Sequence, residues 1–260
     1  MESLIKTELK ESVLTIILDR PDKLNSFTEP MAQKLQSALN EAGENDEVRS
    51  ILLTGNGKAF CVGQDLPEVV DKGDDYELGK TVRGSYNPII KAIRYLEKPV
   101  VCAVNGTAAG AGANIVFACD IVLASNDAIF IQSFSKIGLI PDSGGTFFLP
   151  RLAGLQRTNA MYLLDEKITS QKAVEMGLIY QAIDASELMN EALKTCQKLA
   201  SLPTKGFALY KRAINQSFTN TLDEQLEVEA DLQTKAGKTQ DYYEGVQAFL
   251  EKRKPEFKGK

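Results

Sequence analysis

The 260-residue chain contains no histidine. That absence excludes Ser-His-Asp and Cys-His catalytic arrangements and every histidine-containing zinc site. Proton transfer near neutral pH then falls to a carboxylate, a lysine, a tyrosine or a cysteine. Cysteine is sparse. Cys61, Cys102, Cys119 and Cys196 form no C-x-x-C pair and mostly sit in apolar runs, the pattern of buried thiols in a reducing cytosol. Cys61 has no basic neighbour in sequence that would activate it as a nucleophile. No run of about 18 apolar residues and no signal peptide is present, so a cytoplasmic, non-membrane protein is expected. A net charge of −5 gives no basis for binding nucleic acid.

What the chain does have is a core and two unusual glycine-rich stretches. Hydrophobic residues make up 43% of it, enough for one large domain or a domain with an appendage. Ala59–Asp65 (A-F-C-V-G-Q-D) follows the strand-like run Ser50–Thr54, and Asn105–Asn114 (N-G-T-A-A-G-A-G-A-N) follows Pro99–Val104. Small residues let backbone approach a ligand closely. Two such turns can aim two N–H groups at one oxygen, the geometry that stabilises an oxyanion. A third segment, Ile137–Thr146 (I-G-L-I-P-D-S-G-G-T), puts Asp142 and Ser143 before a helical pattern. Asp142 reads either as a helix N-cap or as a carboxylate facing a pocket made by the two turns.

These segments, with Leu18–Ser26, Lys98–Asp120 and Phe249–Phe257, resemble the enoyl-CoA hydratase/isomerase (crotonase) superfamily over essentially the whole chain. The resemblance implies an α/β fold with a ββα spiral core and a helical C-terminal module, divided here as residues 1–200 and 201–260. It also implies an oxyanion hole from the N–H groups of Gln64 and Ala111, shaped by Gly63, Gly110 and Gly112. Substrate contacts are implied at Lys23, Leu24, Val62, Asp65 and Leu66, with Phe249 and Lys252 approaching CoA from a C-terminal helix, often a neighbour's. Members are usually homotrimers or dimers of trimers. Acyl-CoA is then the substrate, and no metal or redox cofactor is needed, because CoA belongs to the substrate.

The departures from the family pattern carry more information than the matches. Hydratases of the family use two glutamates, and here those positions are Asn114 and Phe134. Neither residue titrates, so neither activates water or delivers a proton. Asp142 remains. The single-acid P-D-S-G pattern, continued by Phe148–Leu155, is similar to the isomerases that act on ring-epoxidised phenylacetyl-CoA. The same residues suit shifting a 3,4 double bond of an acyl-CoA to the 2,3 position. Phe134, with Ile140, would supply an apolar wall that raises the proton affinity of Asp142. Asn114 either hydrogen-bonds substrate or fills a polar gap. Three alternatives stay open: a fatty-acid-oxidation delta-isomerase, a hydratase using Glu68 or Asp65, and a non-catalytic acyl-CoA-binding subunit in complex with an enoyl-CoA hydratase.

Hydrophobic spacing predicts strands at Leu4–Glu8 and Val13–Asp19 around a Glu11–Ser12 turn, then a helix over Met31–Asn40. Ile121–Ala124 reads as a further strand, and the pattern turns helical after Pro150. The polar stretch Glu68–Gly84 reads as a mobile loop or frayed helix that could cover the acyl end of the pocket.

Overall fold

A hairpin opens the chain. Strands β1 (Ile5–Lys10) and β2 (Val13–Leu18) pair antiparallel, and Glu11 and Ser12 between them both adopt positive φ (51° and 61°). A two-residue hairpin turn needs two left-handed residues, so this turn matches its strands' twist without glycine. Helix α1 (Glu29–Glu44) returns the chain so that β3 (Ser50–Gly55) joins β2 in parallel. Its Met31, Leu35, Ala38 and Leu39 form the buried stripe that the spacing predicts, and Ala42 extends it. The buried Lys98 ammonium closes its C-terminus, donating to the carbonyls of Ala42 (2.5 Å) and Asn45 (2.7 Å). The computed structural model describes residues 4–71, 73 and 75–260.

From β3 onward one unit repeats three times: a strand in a large sheet, a three-residue strand in a small sheet, then helix. The first turn is β3, β4 (Ala59–Cys61), α2 (Leu66–Val70), α3 (Leu78–Thr81), a wide π-type turn at Val82–Tyr86 and α4 (Asn87–Tyr95). The second is β5 (Val100–Val104), β6 (Thr107–Ala109) and α5 (Ala111–Ala118). The third is β7 (Ile121–Ser125), β8 (Ile129–Ile131), α6 (Gly145–Ala153) and α7 (Leu155–Leu163). β9 (Ile168–Thr169), α8 (Ser170–Glu175), β10 (Gln181–Ile183) and α9 (Leu188–Ala200) complete the core. The large sheet runs β1-β2-β3-β5-β7-β10 and the small one β4-β6-β8-β9, parallel except at β1 and β9. This is the expected α/β spiral.

Every residue of β3 and β5 is buried, as parallel strands covered on both faces must be. One face packs on α9, whose Leu188, Ala192, Cys196 and Ala200 recur every fourth residue against Leu52, Val101, Ala103 and Leu123. The other meets α1, the small sheet and α5 in the main core. Burying each such leucine or valine contributes roughly 1.5–3 kcal/mol.

Helices α10 (Thr204–Ser217), α11 (Leu222–Ala236) and α12 (Gln240–Glu251) follow. The division at 200/201 falls between α9 and α10. Polar bonds tie the C-terminal part to the core: Lys211 reaches the Asp120 carboxylate at 2.6 Å, and Arg49 donates to the carbonyls of Leu202 and Phe257. Among the described residues no helix is long and apolar enough to cross a membrane.

One expectation needed correction. The glycine-rich stretches are not turns throughout: β4 and β6 lie inside them, and like β8 and β9 they are only two or three residues long and show no periodicity. Of the two readings of Glu68–Gly84, a mobile loop or a frayed helix, the second is nearer: the stretch is helical at both ends, where Val69, Leu78 and Val82 face an apolar cavity. Residues 72 and 74 within it lie outside the described residues.

All four cysteines are buried and free. Burial pushes the Cys61 and Cys196 thiols up to about 12. The native protein is therefore expected to show essentially no thiol reactive to Ellman's reagent at pH 8, and all four after denaturation. Rapid native labelling would contradict the packing.

Candidate active site

The carboxyl ends of β4, β6 and β8 lie side by side, and the segments leaving them line one cavity of about 860 Å³. That is within the range of ligand sites, roughly 300–1,000 Å³, and at the strand end where open parallel sheets bind ligands. After β4 come Val62, Gly63, Gln64 and Leu66; after β6, Gly110 and Ala111; after β8, Gln132, Ser133 and Phe134; then Ile140, Pro141 and Asp142. Leu78, Val82 and Tyr86 also line the cavity.

The first two turns touch. Gly63 has φ +92°, and a Cβ there would stand 3.1 Å from the Ala109 carbonyl and 3.5 Å from Ala111 N. A Cβ on Gly112 would overlap the Cys61 carbonyl and thiol. Only glycine permits this approach. The Gly63 carbonyl accepts from Phe27 N (2.7 Å), so the N–H of the same peptide, that of Gln64, points the opposite way. Ala111 is the first residue of α5, where an N–H has no intrahelical partner. Among the described residues nothing accepts from Gln64 N or Ala111 N. Two adjacent unpaired amide donors thus belong to residues lining the cavity.

Asp142 is not a helix cap. Helix α6 begins at Gly145 after Gly144 (φ +77°), with no side-chain cap. The half-buried Asp142 lies on the cavity wall with Phe134, and its Oδ1 accepts from the Ser143 hydroxyl at 2.8 Å. Burial raises the proton affinity of its carboxyl, opposed by that hydroxyl and a backbone N–H. The cations on the cavity wall, Arg83 and Lys136, are paired with Glu77 (2.7 Å) and Asp165 (2.5 Å).

Asn114 is fully buried and spent within the protein. Its Nδ2 donates to the Asp142 carbonyl (2.9 Å) and its Oδ1 accepts from Gln132 Nε2 (3.1 Å). The side chain at the first hydratase-glutamate position thus holds the Asp142 backbone and fills the polar gap. Asn114→Ala is expected to strand the Gln132 amide and cost about 1–3 kcal/mol, read as a lowered denaturation midpoint. An unchanged midpoint would show that this network carries no stability.

Asp65 is likewise engaged: its carboxylate accepts from Arg20 (3.0 Å) and the Ser26 hydroxyl (3.3 Å), fastening the first turn to the loop before α1. Glu68 accepts from Glu29 N (3.0 Å) at the start of α1 and from Gln64 Nε2 (3.4 Å). Neither carboxylate lines the cavity, which weakens both as acids for a hydratase. Lys23 and Leu24 lie outside the wall, although the Leu24 carbonyl accepts from Val62 N (3.2 Å) and holds their loop beside it. Phe249, 82% exposed, and Lys252 belong to the end of α12 and are not brought to this cavity within one chain. Tyr86 and Gln132 were not legible as site residues. Tyr86 lies two residues beyond the polar stretch Glu68–Gly84, and Gln132 directly follows β8, a strand too short to show a periodicity. Among the described residues no cluster of three or more cysteine, aspartate or glutamate side chains could hold a metal ion.

Comparison with known proteins places the chain in a family. The profile of the enoyl-CoA hydratase/isomerase family matches residues 8–260. The chain is 45% identical over 262 aligned residues, covering all of both chains, to the 1,2-epoxyphenylacetyl-CoA isomerase of Escherichia coli (strain K12). It is 43% identical, over 98% of each chain, to a Rhodobacter capsulatus protein named a probable enoyl-CoA hydratase. The crystal structure of an enoyl-CoA hydratase from Polaromonas sp. JS666 superposes with a TM-score of 0.91 at 32% identity, covering 97% of this chain and 99% of that one. The chain belongs to the enoyl-CoA hydratase/isomerase family.

Proposed function

We propose that this family member is an isomerase, with Asp142 as its acid/base group and the N–H groups of Gln64 and Ala111 as its oxyanion hole. The observation that carries this reading is a cavity-lining Asp142, its proton affinity raised by burial, beside Asn114 and Phe134 at the two positions where the family's hydratases hold glutamates. A thioester oxygen held by both amides accumulates charge as the C2 proton leaves to Asp142. In a 3-enoyl-CoA the electron pair delocalises over C2, C3 and C4, and the same carboxyl returns the proton at C4. The product is the conjugated 2-enoyl-CoA, with no water consumed. A carboxylate facing an apolar wall exchanges its proton in both directions more evenly than a solvated one.

The preferred substrate is the ring 1,2-epoxide of phenylacetyl-CoA, converted to its oxepin. The likeness to the Escherichia coli isomerase and the P-D-S-G segment support it. CoA enters as part of the substrate, and no separate cofactor takes part. In the assembly we infer, a homotrimer or dimer of trimers, Phe249 and Lys252 reach the CoA of a neighbouring copy.

The test supplies the protein with the aromatic epoxide-CoA and, separately, with a linear 3-enoyl-CoA. Conversion of the epoxide to oxepin, with new conjugated-thioester absorbance from the enoyl substrate, is the expected result. Rapid water addition to crotonyl-CoA would restore the hydratase reading. Tight acyl-CoA binding without turnover of any of the three would make the chain a binding subunit.

A further inference from the structure

Tyr86 belongs to none of the groups assigned above, yet it faces the same cavity. It ends the wide turn Val82–Tyr86, an element that costs helical regularity and recurs at functional positions. The side chain is almost wholly buried, with its ring edge-on to Phe27 at 6.1 Å between centroids. Its hydroxyl donates a short hydrogen bond to the side-chain oxygen of Gln64. Phe27 and Gln64 are themselves paired through backbone, and the Gln64 Nε2 approaches the Phe27 carbonyl (3.5 Å) and Glu68 (3.4 Å). Tyr86 therefore grips both members of the bridge that orients one amide of the oxyanion hole.

Release of that grip has a specific consequence. The Gln64 amide oxygen would lose its donor while the N–H groups of Gln64 and Ala111 stand unpaired on the same cavity. A carbonyl oxygen without a donor, near donors without an acceptor, folds onto them. It would then occupy the place of the thioester oxygen.

We propose that Tyr86 is a positioning residue that keeps the Gln64 side-chain oxygen out of the oxyanion hole. The inference rests on the proposed role of the Gln64 and Ala111 amides. Tyr86 acts through Gln64 and takes no proton from substrate; burial and the facing Asp142 carboxylate push its phenol far above the range in which it would ionise.

Tyr86→Phe preserves the ring and its contact with Phe27. It is expected to lower kcat by about tenfold, the equivalent of one internal hydrogen bond that the substrate must displace, with KM within about threefold. In a Gln64→Met background, which has no side-chain oxygen to compete, adding Tyr86→Phe should change kcat by less than about twofold. A direct readout uses hexanoyl-CoA with a ¹³C thioester carbonyl, whose stretching frequency falls on binding to donors. The fall should be large in wild type, smaller in Tyr86→Phe, and recovered in the double variant. Wild-type kcat in Tyr86→Phe, or an equal loss in both backgrounds, would overturn the proposal while leaving the oxyanion hole intact. No frequency change on binding to the wild type would overturn the oxyanion-hole reading itself, and this inference with it.

Discussion

Asp142→Asn is expected to lower isomerase turnover by about 10²–10⁴-fold, the usual contribution of a positioned acid/base group, while CoA-thioester binding persists. Asparagine keeps the shape and the oxygen that accepts from Ser143, so the loss is chemical rather than structural. The loss should lie near the top of that range. Asn114 and Phe134 do not titrate, and the carboxylates of Asp65 and Glu68 are bonded elsewhere. The pH profile supplies an independent check. Asp142 must be ionised to accept the C2 proton, so activity falls as pH drops through its pKa. Burial raises that pKa, and the acid limb should therefore sit above the usual carboxylate value of about 3.9. Stability responds with the opposite sign. A carboxyl whose folded pKa is raised binds its proton more tightly in the native state, so its ionisation costs stability as pH rises from the unfolded value through the folded one. Asp142→Asn should thus raise the denaturation midpoint at neutral pH, with the gain vanishing below about pH 3.9. Undiminished turnover in the variant, or an acid limb at the ordinary aspartate value, would remove Asp142 from its assigned role.

The parts of this fold that the sequence reveals are those where periodicity and burial coincide. The stripe of α1 and the wholly apolar β3 and β5 are visible because helices and covered parallel strands leave distinct patterns. The small sheet leaves none: three residues hold barely one alternation, and glycine and alanine beside them read as turn. The site behaves the same way. The two turns and Asp142 could be located because glycine pairs and a lone acid in an apolar segment are chemically conspicuous. The partners of Asn114 could not, since 28 residues separate it from Asp142 and 18 from Gln132. Tyr86 was hidden for a further reason. An aromatic at the end of a polar stretch has no local signature of burial, and its place follows only from the wall built by Leu78 and Val82.

Ala111→Pro should be the sharpest test of the amide pair, because it deletes one donor and leaves the helix. Proline is favoured at the first position of a helix, where its fixed φ suits the turn and the missing N–H had no intrahelical partner. Ala111 occupies that position in α5, after Gly110 at φ +52°. The residues that fasten α5, Asn114 N to the Gly110 carbonyl and Gly112 against Cys61, are untouched. Helix stability should therefore change little, and the unfolding transition should stay cooperative. What disappears is an N–H donor of a cavity-lining residue, and the ring carbon takes its direction. Loss of one oxyanion-hole donor costs about 10²–10³ in kcat, roughly 2.7–4 kcal/mol of transition-state stabilisation. The enolate is charged and the ground-state thioester is not, so the loss should fall on kcat more than on KM. A proline variant that folds normally and turns over at the wild-type rate would mean that the thioester oxygen is held by something other than the two glycine-flanked amides.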